Sequence, residues 1–99
     1  MVGQTSKETQ VTEIGTHERT VLGDTICYKL FWDEREGQVG YWISICRGEE
    51  QAESFLGEDF LSVAVFFTEI VRGEVLPYSL AEIVEDYRGG EKFYGEKSL

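Results

Sequence analysis

The chain is poor in the residues that usually carry chemistry. In 99 residues it holds one histidine, two cysteines, one methionine and one proline. Cys27 and Cys46 lack a C-x-x-C spacing and, with His17, do not supply the four ligands of a structural zinc site. His17 lies in a polar stretch, Gly15-Thr16-His17-Glu18, with no nucleophile or orienting partner assignable to it, so it reads as a surface histidine. The acidic pairs do not follow the spacing of a calcium loop. Neither G-x-x-x-x-G-K-[ST] nor G-x-G-x-x-G occurs. No catalytic residue, metal ligand or cofactor site is assigned, and the chain is not expected to be an enzyme.

Long apolar runs are also missing. The longest unbroken one is Val63–Phe67, far short of the ~20 residues of a membrane-spanning helix. The first ten residues, MVGQTSKETQ, are polar and lack the apolar centre of an export signal. The chain therefore reads as cytosolic, with both thiols reduced. Basic residues are scarce as well: 9 Lys and Arg stand against 19 Asp and Glu, a net charge of −10. Such a chain repels phosphate backbones and anionic membranes, so direct binding of nucleic acid or lipid is not expected and a charged partner would be basic. The plain alternative is that the acids, spread along the chain, serve solubility.

What remains is pattern. Hydrophobic residues make up 41%, enough for one packed core. Residues 1–8 read as a flexible arm, 9–89 as a single domain and 90–99 as a flexible Gly-rich tail. One or two short strands are expected between Thr9 and Leu22, punctuated by Gly15 and Gly23. Asp24–Asp33 alternates, with Ile26, Tyr28, Leu30 and Trp32 on one face and Cys27, Lys29 and Phe31 on the other. Val39–Arg47 alternates too, with Tyr41, Ile43 and Ile45 opposed to Trp42, Ser44 and Cys46. Period-2 alternation marks two amphipathic strands, and Glu36–Gly37 is the turn between them. Their faces set Trp32 opposite Tyr41, Leu30 opposite Ile43, Tyr28 opposite Ile45 and Cys27 opposite Cys46. A turn at Gly48–Glu49 folds back a weaker strand, Gln51–Leu56, with Ala52 opposite Ile45 and Ser54 opposite Ile43.

The period then changes. Phe60, Val63, Ala64, Phe67, Ile70 and Val71 form the stripe of an amphipathic helix over Glu58–Arg72, with Gly57 as its N-cap and Gly73 at its end. After the link Glu74–Tyr78, Ser79-Leu80-Ala81-Glu82 has the form of a capping box, with Tyr78 and Ile83 at staple positions. The second helix then buries Leu80, Ile83, Val84 and Tyr87 and closes at Arg88 and Gly89. The expected fold is α+β: a three- to five-stranded antiparallel meander packed on one face by two C-terminal helices.

Three surfaces are candidates for function. Phe31, Trp42 and Phe55 form an aromatic row on the sheet face opposite Ile43, with Glu53 beside it; such a row is a protein-contact site unless residues 9–22 cover it. Leu61, Val65 and Phe66 widen the apolar belt of the first helix, which points to self-association as a homodimer or to cover from the second helix. Glu82, Glu85 and Asp86 form an acidic outer face, read either as solvated or as a stripe for a basic partner.

Within Phe55–Arg88, residues Leu56, Asp59, Val63, Phe67, Arg72, Gly73, Pro77, Leu80, Ile83, Val84, Glu85, Asp86 and Tyr87 carry a resemblance. The segment resembles a family of small, functionally uncharacterised proteins from clostridia and related Firmicutes. That family enters its first helix through an Asp-Ile-Ser-like step and continues into a Pro-x-x-Leu-x-Asp-Val-Val-Glu-Asp-Phe-like second helix. Gly57 stands where the family tends to have Ser, and the strands here are more aromatic. The resemblance implies the fold and a bacterial or phage origin, and no activity. The function expected is a non-catalytic protein-interaction module that binds through the aromatic sheet face and acidic surface. The alternative is an acidic, phage-encoded inhibitor that mimics nucleic acid and blocks a host defence enzyme.

Overall fold

The computed structural model describes residues 11–87. The expected arm 1–8, the tail 90–99 and the helix end at Arg88 and Gly89 lie outside them. Four antiparallel strands follow one another in space as in sequence, β1 (Thr12–Val21), β2 (Asp24–Arg35), β3 (Gln38–Arg47) and β4 (Glu50–Gly57). Two helices follow, α1 (Phe60–Arg72) and α2 (residues 80–87). The fold is the expected α+β meander. No helix among the described residues is long and apolar enough to cross a membrane.

Each hairpin is set by its turn. Leu22-Gly23 and Glu36-Gly37 both take positive φ at both positions (54° and 88°, 52° and 82°), the twist that suits two-residue hairpins. Between β2 and β3 the register is the one the alternation demands: Trp32 faces Tyr41, Leu30 faces Ile43, Tyr28 faces Ile45 and Cys27 faces Cys46. Ala52 faces Ile45 and Ser54 faces Ile43 across β3 and β4. A slip of one residue would turn the whole Ile26, Tyr28, Leu30, Ile43 and Ile45 set away from the helices.

The N-terminal region differs from expectation. It is one ten-residue strand, not short pieces, and Gly15 sits inside it next to a bulge between Glu13 and Gly15. The bulge lets the strand keep pairing with β2 past a residue that would otherwise end it. A second bulge lies between Tyr41 and Trp42, where Leu56 is the extra residue of β4 and turns into the core. The same end of the sheet closes tightly at Gly40. A Cβ there would lie 2.5 Å from the Gly57 carbonyl oxygen, so only glycine permits the approach.

That extra residue also moves the start of α1. Gly57 is still paired with Tyr41 as the last residue of β4, so it is not the N-cap; Asp59, in extended conformation, is. Its carbonyl accepts the Val63 N–H at 3.0 Å, and Ser62 Oγ donates to its carboxylate at 2.6 Å. At the other end the left-handed residue is Glu74 (φ 56°), one past Gly73. Glu74 N–H donates to Val71 O and Val75 N–H to Ile70 O, the paired bonds that close a helix in a Schellman motif.

The capping box at Ser79 is not formed. Pro77–Ser79 is a 3₁₀ turn with Leu76 extended before it, and the Ser79 N–H donates to Leu76 O at 3.0 Å. Proline opens the helical stretch because its missing N–H would be unpaired there anyway. Tyr78 is exposed, so the staple to Ile83 is absent as well. Beyond this entry α2 behaves as expected: Leu80 and Val84 are buried, and Ile83 and Tyr87 pack at the core edge. Val63, Phe66, Phe67, Ile70 and Val71 of α1 and the helix-side residues of the sheet complete the core. Each buried aliphatic or aromatic side chain stabilises the fold by about 1.5–3 kcal/mol relative to exposure.

Candidate functional site

The sheet has one face under the helices and one that no described helix covers. On the uncovered face the register lays out three rows. Glu13, Phe31, Trp42 and Phe55 form the first, Thr16, Lys29, Ser44 and Glu53 the second, and Glu18, Cys27, Cys46 and Gln51 the third. The aromatic row therefore forms as expected, with the Trp42 and Phe55 rings edge to face at 5.3 Å.

Its exposure does not follow. Phe31 is 3% exposed and Trp42 9%, while Phe55 is half-buried. Residues 12–21 are not the cover, because β1 lies in the sheet beside β2. The Arg35 guanidinium lies over both rings, 5.2 Å from the Phe31 centroid and 5.1 Å from that of Trp42. Arg35 is held there by Asp33 and Glu53. The hydrogen bonds it donates to Glu53 and then to Asp33 raise its already high pKa. Phe31 and Trp42 are thus corrected from contact residues to core of this face, and Glu53 is a salt-bridge partner as well as a rim acid. Trp42 Nε1 is buried with no hydrogen-bond partner among the described residues, a cost of about 1–3 kcal/mol for an indole N–H left unpaired.

Beside Arg35 lies a groove of about 230 Å³, lined in part by Phe31, Lys29, Cys27, Cys46, Ser44 and Glu53. Its volume falls below the ~300–1,000 Å³ usual for small-molecule sites and suits a single inserted side chain. Gln51 Nε2 donates to Ser44 Oγ at 3.4 Å and to Glu53 at 3.2 Å, and Ser44 Oγ lies 3.8 Å from Cys46 Sγ. Both cysteines are half-buried free thiols. Burial first, then Cys46 and Glu18, push the Cys27 thiol above its ordinary pKa of 9.0. Among the described residues no group of three or more His, Cys, Asp or Glu is placed to hold a metal ion.

The other candidates divide. Leu61 and Val65 are exposed, 74% and 60%, one turn apart on α1. Phe66 is not with them: it is buried and stacked on Tyr87 with centroids 4.0 Å apart, so it is corrected from self-association residue to core. Glu82, Glu85 and Asp86 are exposed on α2. His17 is on the helix side of β1, 5.8 Å from the Phe67 ring.

Arg35 is the residue the sequence reasoning passed over. The signal was present, because residues 27, 29, 31, 33 and 35 of β2 share one parity and so one face. No family model, curated protein or solved structure matches this chain.

Proposed function

We propose that the protein is a non-catalytic protein-binding module that uses the sheet face away from its helices. One observation carries this reading: a four-stranded sheet with one face filled by helices and the other left with a side-chain-sized groove rimmed by Glu13 and Glu53. Glu13 lines the groove without a cation of its own among the described residues, and the net charge of −10 favours a basic partner. The reading places the protein in the cytosol, where its thiols stay reduced. It also takes the resemblance of residues 55–88 as descent, and so a bacterial or phage origin.

A second reading, the acidic inhibitor that mimics nucleic acid, is supported by the use of the cations. Arg19, Arg35 and Arg47 are each paired with acids of the same chain, which leaves Lys29 and Arg72 as the cations without an ion pair among the described residues, against a larger number of exposed carboxylates. Hydrogen exchange of the chain with its captured partner, at low and high salt, tests both. Protection centred on β2, β3 and Gln51–Phe55 that persists at high salt supports the groove. Binding that collapses with salt, with protection spread over the acidic surfaces, favours mimicry. Protection confined to Leu61 and Val65 would overturn both.

A further inference from the structure

We infer that Cys27 and Cys46 form a two-thiolate site for a soft cation of the copper(I) class. The inference does not rest on the protein-binding reading.

The two residues are direct cross-strand partners, both half-buried and both lining the same groove. The buried residues on either side, Ile26 and Tyr28, lock that pairing, since a slip would expose them. Cross-strand neighbours hold their Cβ atoms about 4.5–5.5 Å apart, wider than the ~3.8 Å typical of a disulfide. An ion ligated by both sulfurs does not need the closer Cβ approach of a disulfide. The surrounding donors narrow the choice of ion. With no third ligating side chain gathered among the described residues, the four-coordinate zinc site and the oxygen-rich calcium or magnesium site are both incomplete. Two sulfurs alone suit a soft monovalent ion that accepts linear coordination, and thiolates select copper(I).

The surroundings fit the same ion. Ser44 Oγ accepts from Gln51 Nε2, which leaves its own proton free to donate to Cys46 Sγ. That bond would orient the sulfur and spread its charge, as outer partners of metal ligands do. Lys29, two residues from Cys27 on the same face, makes no ion pair among the described residues. Its ammonium balances the single negative charge of the complex. Binding is ligand exchange without electron transfer: one copper(I) ion and two thiols give a bis-thiolate complex of charge −1 and two protons. Thiols ligate as thiolates, so the bound ion takes the place of two protons.

The test is anaerobic competition between the reduced full-length chain and a chromophoric copper(I) chelator, with zinc alone as a second probe. One copper(I) per chain should leave the chelator, and both thiols should become protected from alkylation. Affinity should rise with pH, because binding releases two protons. Cys27→Ser and Cys46→Ser should each abolish retention with unchanged far-UV circular dichroism, and Ser44→Ala should weaken it by about tenfold. Copper that stays with the chelator would overturn the inference. So would retention by the Cys27→Ser/Cys46→Ser double variant, alkylation of both thiols in the loaded protein, or zinc bound more tightly than copper(I).

Discussion

In a Tyr28→Phe variant one hydroxyl is lost and the ring that fills the core stays. Tyr28 is fully buried in β2, and its hydroxyl donates to the Val75 carbonyl at 2.9 Å. Val75 follows the left-handed residue that ends α1, so this single bond ties the connector between the helices to the middle of the sheet. A typical intramolecular hydrogen bond contributes a net ~0.5–1.5 kcal/mol, and an acceptor left buried without a partner costs ~1–3 kcal/mol. With no cavity formed, the expected loss is about 1–2 kcal/mol, or about 5–15 °C in melting temperature for a domain of this size.

A pH arm makes the reasoning sharper. Burial, and after it the charge of Glu74, raise the Tyr28 phenol above its ordinary 10.0, with Arg19 opposing. A raised acid contributes stability that is whole below the unfolded pKa and is lost as pH climbs through the folded one. The advantage of the wild type over Tyr28→Phe should therefore be constant at neutral pH and shrink in the alkaline range above 10.0. Every other group is common to the two proteins, so the difference between them isolates Tyr28. Urea melts followed by tryptophan fluorescence at neutral and alkaline pH give both numbers. An unchanged midpoint at neutral pH would refute the tie, and an advantage that stays constant into alkali would refute the buried phenol.

Three further outcomes are expected. Arg35→Ala, made in a Trp32→Phe background so that only Trp42 reports, should cost about 1–3 kcal/mol by leaving Asp33 buried without its cation, and should raise acrylamide quenching of Trp42; unchanged quenching would mean the ring is covered by something else. Gly40→Ala should destabilise by about 1–3 kcal/mol in denaturant melts, because the new methyl meets β4 backbone. Ser79→Ala should stay within about 0.5 kcal/mol of wild type, where a formed capping box would have lost up to ~2 kcal/mol.

The β2–β3 hairpin was legible to the residue. Both strands alternate cleanly, one face must be apolar, and the turn has two residues, so only one parity satisfies all three. The places where reading failed share a cause: each depends on a residue that breaks local periodicity. Leu56 as a bulge residue looks like a continuing strand, and its insertion delays the α1 cap from Gly57 to Asp59. Ser79-x-x-Glu82 has the spacing of a cap, but Pro77 starts the turn two residues earlier and the serine is already inside it. Phe66 looked surplus to the α1 stripe because its cover, Tyr87, comes from another element. For the aromatic row, register was readable and burial was not. A long arginine reaching back along its own strand leaves no mark in a period-2 pattern beyond its parity.

The arginines carry one more consequence. Arg19 on β1 pairs with Glu74 after α1, Arg35 on β2 with Glu53 on β4, and Arg47 on β3 with Glu50 on β4. Each joins two elements, yet all are at least partly exposed, and such pairs contribute ~0–1 kcal/mol apiece and weaken as salt rises. Against them stands the repulsion among the unpaired acids of a chain with net charge −10. Salt screens that repulsion too, and at the ~8 Å screening length of physiological ionic strength it acts most on charges far apart, which the paired groups are not. Moderate sodium chloride should therefore remove more destabilisation than it removes pairing, and the urea midpoint should rise from low to physiological salt. A midpoint that falls would mean the three arginine ties outweigh the self-repulsion.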